Sequence, residues 1–325
     1  MKPTRQSFAF TTVDLVTIGI NTFLALMHFV FASDPTNLFL GLAFLAASGV
    51  TLAFAAADAR GSIRRGTVLH FLRLFHVQAL YAPYFMRVIA LSQLVWGGQS
   101  FDSFFFTMEE AVFGVQLALV LPERFGHLRA LNELIFFAYF AFYALLCLPG
   151  WVLYLKRRYR EAERALFTIT ASFGLLYVWY VFFPVHGPKY YIDELQARWY
   201  QDLDGYFFSW LMRTIFQDAN LAGAAVPSSH VAISTIATVL VGRTVPRLLI
   251  AFAPITAVLY VSTVYIYAHY AVDVLLGLAV VPLLLLASHA LQTRFERRLS
   301  KGRPAKTDGA SAADDEKANA SRSAS

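Results

Sequence analysis

Cysteine is nearly absent from the sequence. Cys147, the single one, lies inside an apolar run, so no intramolecular disulfide forms and a cysteine-rich metal centre is excluded. Charge is scarce as well. Asp, Glu, Lys and Arg make up 15% of the 325 residues against 58% hydrophobic ones, and mean hydropathy is +0.53. Soluble domains carry about 25% charged residues, so this balance excludes an ordinary soluble fold. The net charge of +6 is not gathered into a basic-aromatic patch. The basic residues stand in short loops between apolar runs, which argues against nucleic acid as a partner. No small-x-small cleavage site follows the first apolar run, so that run is expected to stay in the protein rather than leave as a signal peptide. No internal repeat is visible.

What the sequence has in plenty is long apolar runs. Eight are expected to span a membrane, at about 12–32, 36–58, 68–95, 130–155, 165–185, 229–245, 248–267 and 271–291. The fold class that follows is all-α, a polytopic membrane helical bundle. The third run carries Arg73, His76 and Arg87, so part of it must face protein or water. Pro254 and Pro282 are expected to kink two of the later spans. Residues 101–121 are too acidic at their start for a clean span and read as an amphipathic helix at the interface. Residues 1–67 then form two N-terminal spans, and 292–325 an Ala/Ser/Asp/Lys-rich disordered tail.

Lys and Arg give an orientation. Arg60, Arg64 and Arg65 follow span two, Lys156 to Arg164 follow span four, Arg243 and Arg247 follow span six, and Arg294 to Lys301 follow span eight. With eight spans all of these lie on the side of both termini, which the positive-inside rule makes cytoplasmic in a multi-pass cell-membrane protein. The opposite side collects acids, among them Asp102, Glu109, Glu110, Glu123, Asp193, Asp204 and Asp218.

Three segments on that opposite side carry chemistry. Pro227-Ser228-Ser229-His230 stands just before span six and reads as a helix N-terminus, whose free N–H groups and positive dipole end suit a phosphate. Spans six and seven form a hairpin, which returns His269 to the face where His230 starts. His269 and Asp273 are four residues apart, a spacing that shares a helix face, so the carboxylate is expected to accept the Nδ1 proton and leave Nε2 open. Phe182 to Tyr190 ends span five with a Gly/Pro turn, in which Lys189 is the first basic group, suited to neutralising a phosphate. His186 and Arg198 are further candidates on this face.

Together these segments resemble the type 2 phosphatidic acid phosphatase superfamily. Pro227, Ser228, Ser229 and His230 meet its Pro-Ser-x-His motif. Ser262, His269 and Asp273 meet its Ser-Arg-x5-His-x3-Asp motif, with Thr263 at the arginine position. The Lys-x6-Arg-Pro motif has no counterpart, and the Phe-Pro-x-x-Gly-Pro-Lys turn stands in its place. With His-Tyr-x-x-Asp in the last motif, the chain looks similar to the inositol phosphorylceramide synthase and sphingomyelin synthase branch. The resemblance spans roughly 68–291 and implies a six-helix catalytic core there.

It also implies roles. His269 would attack phosphorus and become a phosphohistidine, Asp273 would orient it, and His230 would protonate the leaving oxygen and then deprotonate the acceptor. Ser228, Ser229 and Lys189 would hold the phosphoryl oxygens. No cofactor and no metal are needed. The partners would be a membrane lipid donor and either an alcohol, giving phosphotransfer, or water, giving lipid phosphate hydrolysis. Two readings from other classes stay open at this point. One is a metal site built from His230, His269 and Asp273, and the other is a non-catalytic transporter or scaffold.

Overall fold

Among the described residues, seven helices are long and apolar enough to cross a membrane: Thr12–Val30, Pro35–Ala59, Val68–Trp96, Arg129–Leu155, Tyr159–Phe182, Pro246–Tyr265 and Ala271–Ser300. The protein is therefore a multi-pass membrane protein. The computed structural model describes residues 9–31, 34–193, 195, 203–216 and 222–301, and among them every regular element is helical, with no strand.

In chain order the helices are α1 (Thr12–Val30), α2 (Pro35–Ala59), α3 (Val68–Phe75), α4 (Tyr81–Trp96), α5 (Asp102–Phe113), α6 (Leu117–Phe125), α7 (Arg129–Leu155), α8 (Tyr159–Phe182), α9 (Pro188–Tyr191), α10 (Phe207–Phe216), α11 (Ser229–Thr244), α12 (Leu249–Tyr265), α13 (Ala271–Ala279) and α14 (Val281–Lys301). The expected third span is α3 and α4 joined through a 3-10 turn at His76–Leu80. Pro282, with no N–H to give, stands where α13 gives way to α14. Pro254 sits inside α12 without ending it.

Three expectations need correction. The sixth span is α11, only 16 residues. It rises about 24 Å, short of the ~30 Å hydrocarbon core, and is enclosed by α7, α8, α12 and α13 rather than by lipid. Residues 292–301 are helical, because Phe295 packs on Phe167 of α8 and Gln292 is buried there too. The rest of the expected disordered tail, 302–325, lies outside the described residues. Residues 101–121 are not one helix but the pair α5 and α6, bent by 64°. Gly114 takes the left-handed conformation at φ +74°, which ends α5, and Glu109 Oε1 then accepts the Leu117 N–H that opens α6. The pair packs on α9, α12 and α13 and so covers one end of the bundle.

Polar contacts tie α1 and α2 to the rest, as expected where lipid offers no hydrophobic drive for helix association. Asp14 closes a capping box with Thr11 and also clamps the Arg73 guanidinium at 2.6 and 2.5 Å, with both side chains buried. Removing one partner of such a buried pair costs about 3–5 kcal/mol. Thr12 gives two hydrogen bonds to Glu163 of α8, and Tyr84 of α4 gives one to Asn21.

Three chain segments meet under the α5–α6 pair: 183–189 after α8, 222–228 before α11, and 266–270 between α12 and α13. Backbone hydrogen bonds sew them together. Ala225 N–H donates to Val185, Lys189 to Tyr267, and Ser228 to the carbonyl of Asp273.

Candidate active site

His269 lies in the third of these segments, and its ring is fixed from both sides. Nδ1 is 2.9 Å from the carbonyl oxygen of Ala225. A carbonyl only accepts, so Nδ1 carries the proton and Nε2 holds the lone pair. Nε2 faces Ser228 Oγ at 3.3 Å. Burial pushes the imidazole pKa down to about 4, so the ring is neutral at physiological pH.

Asp273 does not pair with His269 along one helix face as the spacing suggested. His269 stands before the helix, which starts at Ala271 behind an extended Tyr270. Asp273 sits in the first turn, and its Oδ2 accepts the Tyr270 N–H at 2.9 Å. The same oxygen is 3.5 Å from His269 Nδ1. The Asp273 carboxyl thus stands beside the imidazole, while a backbone carbonyl sets the tautomer.

Ser228 caps α11, with Oγ accepting the Val231 N–H. Tyr180 donates to the Pro227 carbonyl at 2.5 Å and Trp179 to that of Val226 at 3.0 Å, which pins the cap to α8. One residue into the helix, the His230 ring stacks on Tyr139 and lies against Phe142, both of α7, with centroids at 4.7 and 4.3 Å. It meets the His269 ring at 5.6 Å, edge to face. Its Nδ1 is buried with no hydrogen-bond partner among the described residues. Aromatic packing, not a carboxylate, holds this imidazole.

A cavity of about 470 Å³ opens from these residues. Its polar end is walled by His186, Tyr190, Ser229, His230 and His269. The rest of the wall runs between α4, α7 and α8 past Tyr81, Phe85 and Phe173. On α7 the wall extends from Tyr139 to Cys147, a rise of about 12 Å into the bundle. Among the described residues its wall holds no lysine or arginine. Lys189 is set behind Tyr190, with Nζ 3.2 Å from the Tyr190 hydroxyl and 4.6 Å from the ring centroid. Burial pushes its ammonium down to about 7. Arg198 lies outside the described residues. Thr263, at the motif's arginine position, is buried and donates to the carbonyl of Tyr260 in its own helix.

Sequence reasoning missed two acids. Asp102 and Glu109 read as outer-face surface charges, yet both are fully buried. Asp102 accepts from the backbone of His186 at 2.7 Å and of Gly187 at 2.8 Å, and from the Tyr270 hydroxyl at 3.1 Å. Glu109 Oε2 accepts from Val272 N–H at 3.2 Å. The acids of α5 therefore clamp two site segments from above. Gly187 is required at its place: its φ is +92°, and a Cβ there would stand 2.6 Å from the Ala268 oxygen. No signal in the sequence distinguished these acids from solvated ones.

The geometry does not favour a metal at His230, His269 and Asp273. Asp273 lies at Nδ1 of His269, which carries a proton, and not at the open Nε2. Among the described residues no group of three or more His, Cys, Asp or Glu side chains is arranged to hold a metal ion.

Residues 105–287, more than half of the chain, match the family profile described as the PAP2 superfamily. No curated protein and no solved structure matches the chain.

Proposed function

Because the chain belongs to the PAP2 superfamily, we propose that it is a membrane phosphotransferase that moves a phosphoryl or phospho-headgroup from a lipid donor to an alcohol acceptor through a phosphohistidine on His269. The open Nε2 of a neutral, carbonyl-locked imidazole is the nucleophile. It attacks phosphorus as the P–O bond to the leaving oxygen breaks, and a proton from His230 goes to that oxygen. His230 then takes the proton of the acceptor hydroxyl, whose oxygen attacks the phosphohistidine and frees His269. Asp273 stabilises the positive imidazole formed on attack. Ser228, Ser229 and the first N–H groups of α11 hold the phosphoryl oxygens. Lys189 adds positive potential from behind Tyr190. The aromatic slot between α4, α7 and α8 takes a hydrocarbon chain of the donor.

The observation that carries transfer over hydrolysis is the cation-poor cavity wall. A phosphomonoester arrives with a charge of about −1.5 to −2 near pH 7, whereas a diester carries about −1. With no lysine or arginine in the wall among the described residues and Thr263 turned to its own backbone, the site suits the diester. A diester donor is what headgroup transfer uses. In a reconstituted system, labelled diester phospholipids should turn over about tenfold or more faster than phosphatidate, and only when an alcohol or polyol is supplied. Phosphatidate hydrolysis that is faster and indifferent to alcohol would replace this reading with lipid phosphate phosphatase.

The site faces the non-cytoplasmic side in this proposal, on the distribution of Lys and Arg. In a Cys147→Ala background, a cysteine placed at Gly98, beside the site end of the bundle, should react with an impermeant thiol reagent from outside intact cells. A cysteine at Gly242, at the other end of α11, should not. The reverse pattern would invert the orientation.

A further inference from the structure

The apolar arm of the cavity is built from one face of each helix beside it. Tyr139, Tyr143 and Cys147 line it along α7, and Gln78, Ala82 and Met86 line it along α4 and the turn before it. Both sets step by four residues, which keeps them on one side of a helix. Tyr81 and Tyr177 also line the arm, but their hydroxyl protons are committed to the protein. Tyr177 donates to the Tyr81 carbonyl at 3.3 Å. Tyr81 donates to Thr170 Oγ1 at 2.7 Å, since Thr170 gives its own proton to Leu166. The arm is therefore a place for hydrocarbon.

It is not a through-channel. Met86 and Tyr143, nearer the catalytic histidines, are 50% and 42% exposed, so that part opens sideways towards lipid. Further down, Tyr81, Leu146 and Phe173 are buried, and the partly accessible Gln78 and Cys147 line the foot. Beneath the foot the helices close. Gln78 Oε1 accepts the Trp151 Nε1–H of α7 at 2.8 Å. Phe75 lies so near α7 that a Cβ on Gly150 would stand 2.8 Å from its ring. Phe71 and Phe75 of α3 also pack on Tyr154 of α7, with centroids at 5.3 and 5.7 Å.

A slot with a closed foot measures what enters it. From Tyr139, which stacks on His230, to Cys147 the depth is about 12 Å. A chain of single bonds advances about 1.2 Å per bond, so about ten chain atoms fill it. Lipid tails are as apolar as the slot, so hydrophobicity alone does not discriminate between chains, whereas fit to a close-packed wall does. We propose that Gln78 and Cys147 set the length of hydrocarbon chain that this site accepts, at about ten chain atoms from phosphorus. The proposal rests on the phosphohistidine reading and deepens it by giving the donor a chain-length class.

Methyl(n-alkyl)phosphinates serve as probes. They carry a single negative charge, as a diester does, and their P–C bonds offer no leaving oxygen. They are read as inhibitors of diester turnover by the reconstituted full-length protein, with affinity expressed as mole fraction in the bilayer. Across chains of about four to sixteen carbons, wild-type affinity should peak at about ten and be about tenfold or more weaker at sixteen, where the chain must buckle. Cys147→Trp puts an indole into the foot and should move the peak down by about three carbons or more. Gln78→Ala removes the side chain that closes the foot. It should move the peak up and cut the loss at about sixteen carbons to less than about threefold. Shifts in opposite directions do not come from a general loss of fold. Wild-type affinity that varies by less than about twofold across the series overturns the proposal. So does a peak that stays where it is in wild type in either variant. A wild-type protein that turns over no lipid diester and traps no phosphate overturns the phosphohistidine reading itself, an outcome distinct from chain-independent inhibition of an active enzyme.

Discussion

His269→Ala protein should form no phosphoenzyme from donor lipid, and its turnover should fall by on the order of 10⁴-fold or more. Wild type, given donor without acceptor, should trap phosphate in an acid-labile, base-stable linkage, as a phosphoramidate requires. The buried ring, pushed down to about 4, is already neutral across the working range. The acid limb of phosphoenzyme formation by the free enzyme should therefore lie well below the ordinary imidazole range near 6.5. Asp273→Asn tests the division of labour around the ring. In a Ser-His-Asp triad the same change costs about 10⁴-fold because the histidine turns to the wrong tautomer. Here the Ala225 carbonyl holds the tautomer at 2.9 Å, while Asp273 stands at 3.5 Å. Asp273→Asn should thus cost only about 10- to 100-fold, through lost stabilisation of the charged imidazole. A loss as large as that of His269→Ala would mean that the carbonyl does not fix the ring. Normal turnover by His269→Ala with no trapped phosphate in wild type would end the covalent mechanism.

His230→Ala should slow turnover by about 10²–10⁴-fold, the usual contribution of a general acid. The loss should shrink when the leaving group needs no proton, as with a p-nitrophenyl phosphodiester. Its Nδ1 has no partner among the described residues, and its ring is held between Tyr139 and Phe142. Tyr139→Leu should therefore slow the poor-leaving-group substrate more than the good one, since only the former depends on where His230 points. Equal losses for both leaving groups in His230→Ala would remove it from proton transfer and leave it a packing residue.

Much of this site was legible before the fold. The Pro227–His230 cap works as a cap because a serine before an apolar run has few other places to put its oxygen. The α11–α12 hairpin had to bring His269 back to His230, because two antiparallel arms of similar rise return the chain to its starting side, and the rings meet at 5.6 Å. The four-residue spacing of His269 and Asp273 misled in one respect. It presumed helix through both, whereas Tyr270 is extended and the helix begins after it. Lys189 was expected at the phosphate, and its ammonium stands over the Tyr190 ring, 4.6 Å from the centroid.

What the sequence determined by itself is the membrane class, the helical runs and the pairing of motifs along them. These depend on hydropathy and on spacing within one element, where the rise per residue is fixed. What only the tertiary structure decided is which polar groups are buried against which. Asp102 is 84 residues from His186 and 168 from Tyr270 along the chain, yet its carboxylate joins them. The Ala225 carbonyl that sets the His269 tautomer is 44 residues away. Such contacts form because a buried N–H or carboxylate must find a partner wherever packing brings one, and no local pattern records that choice.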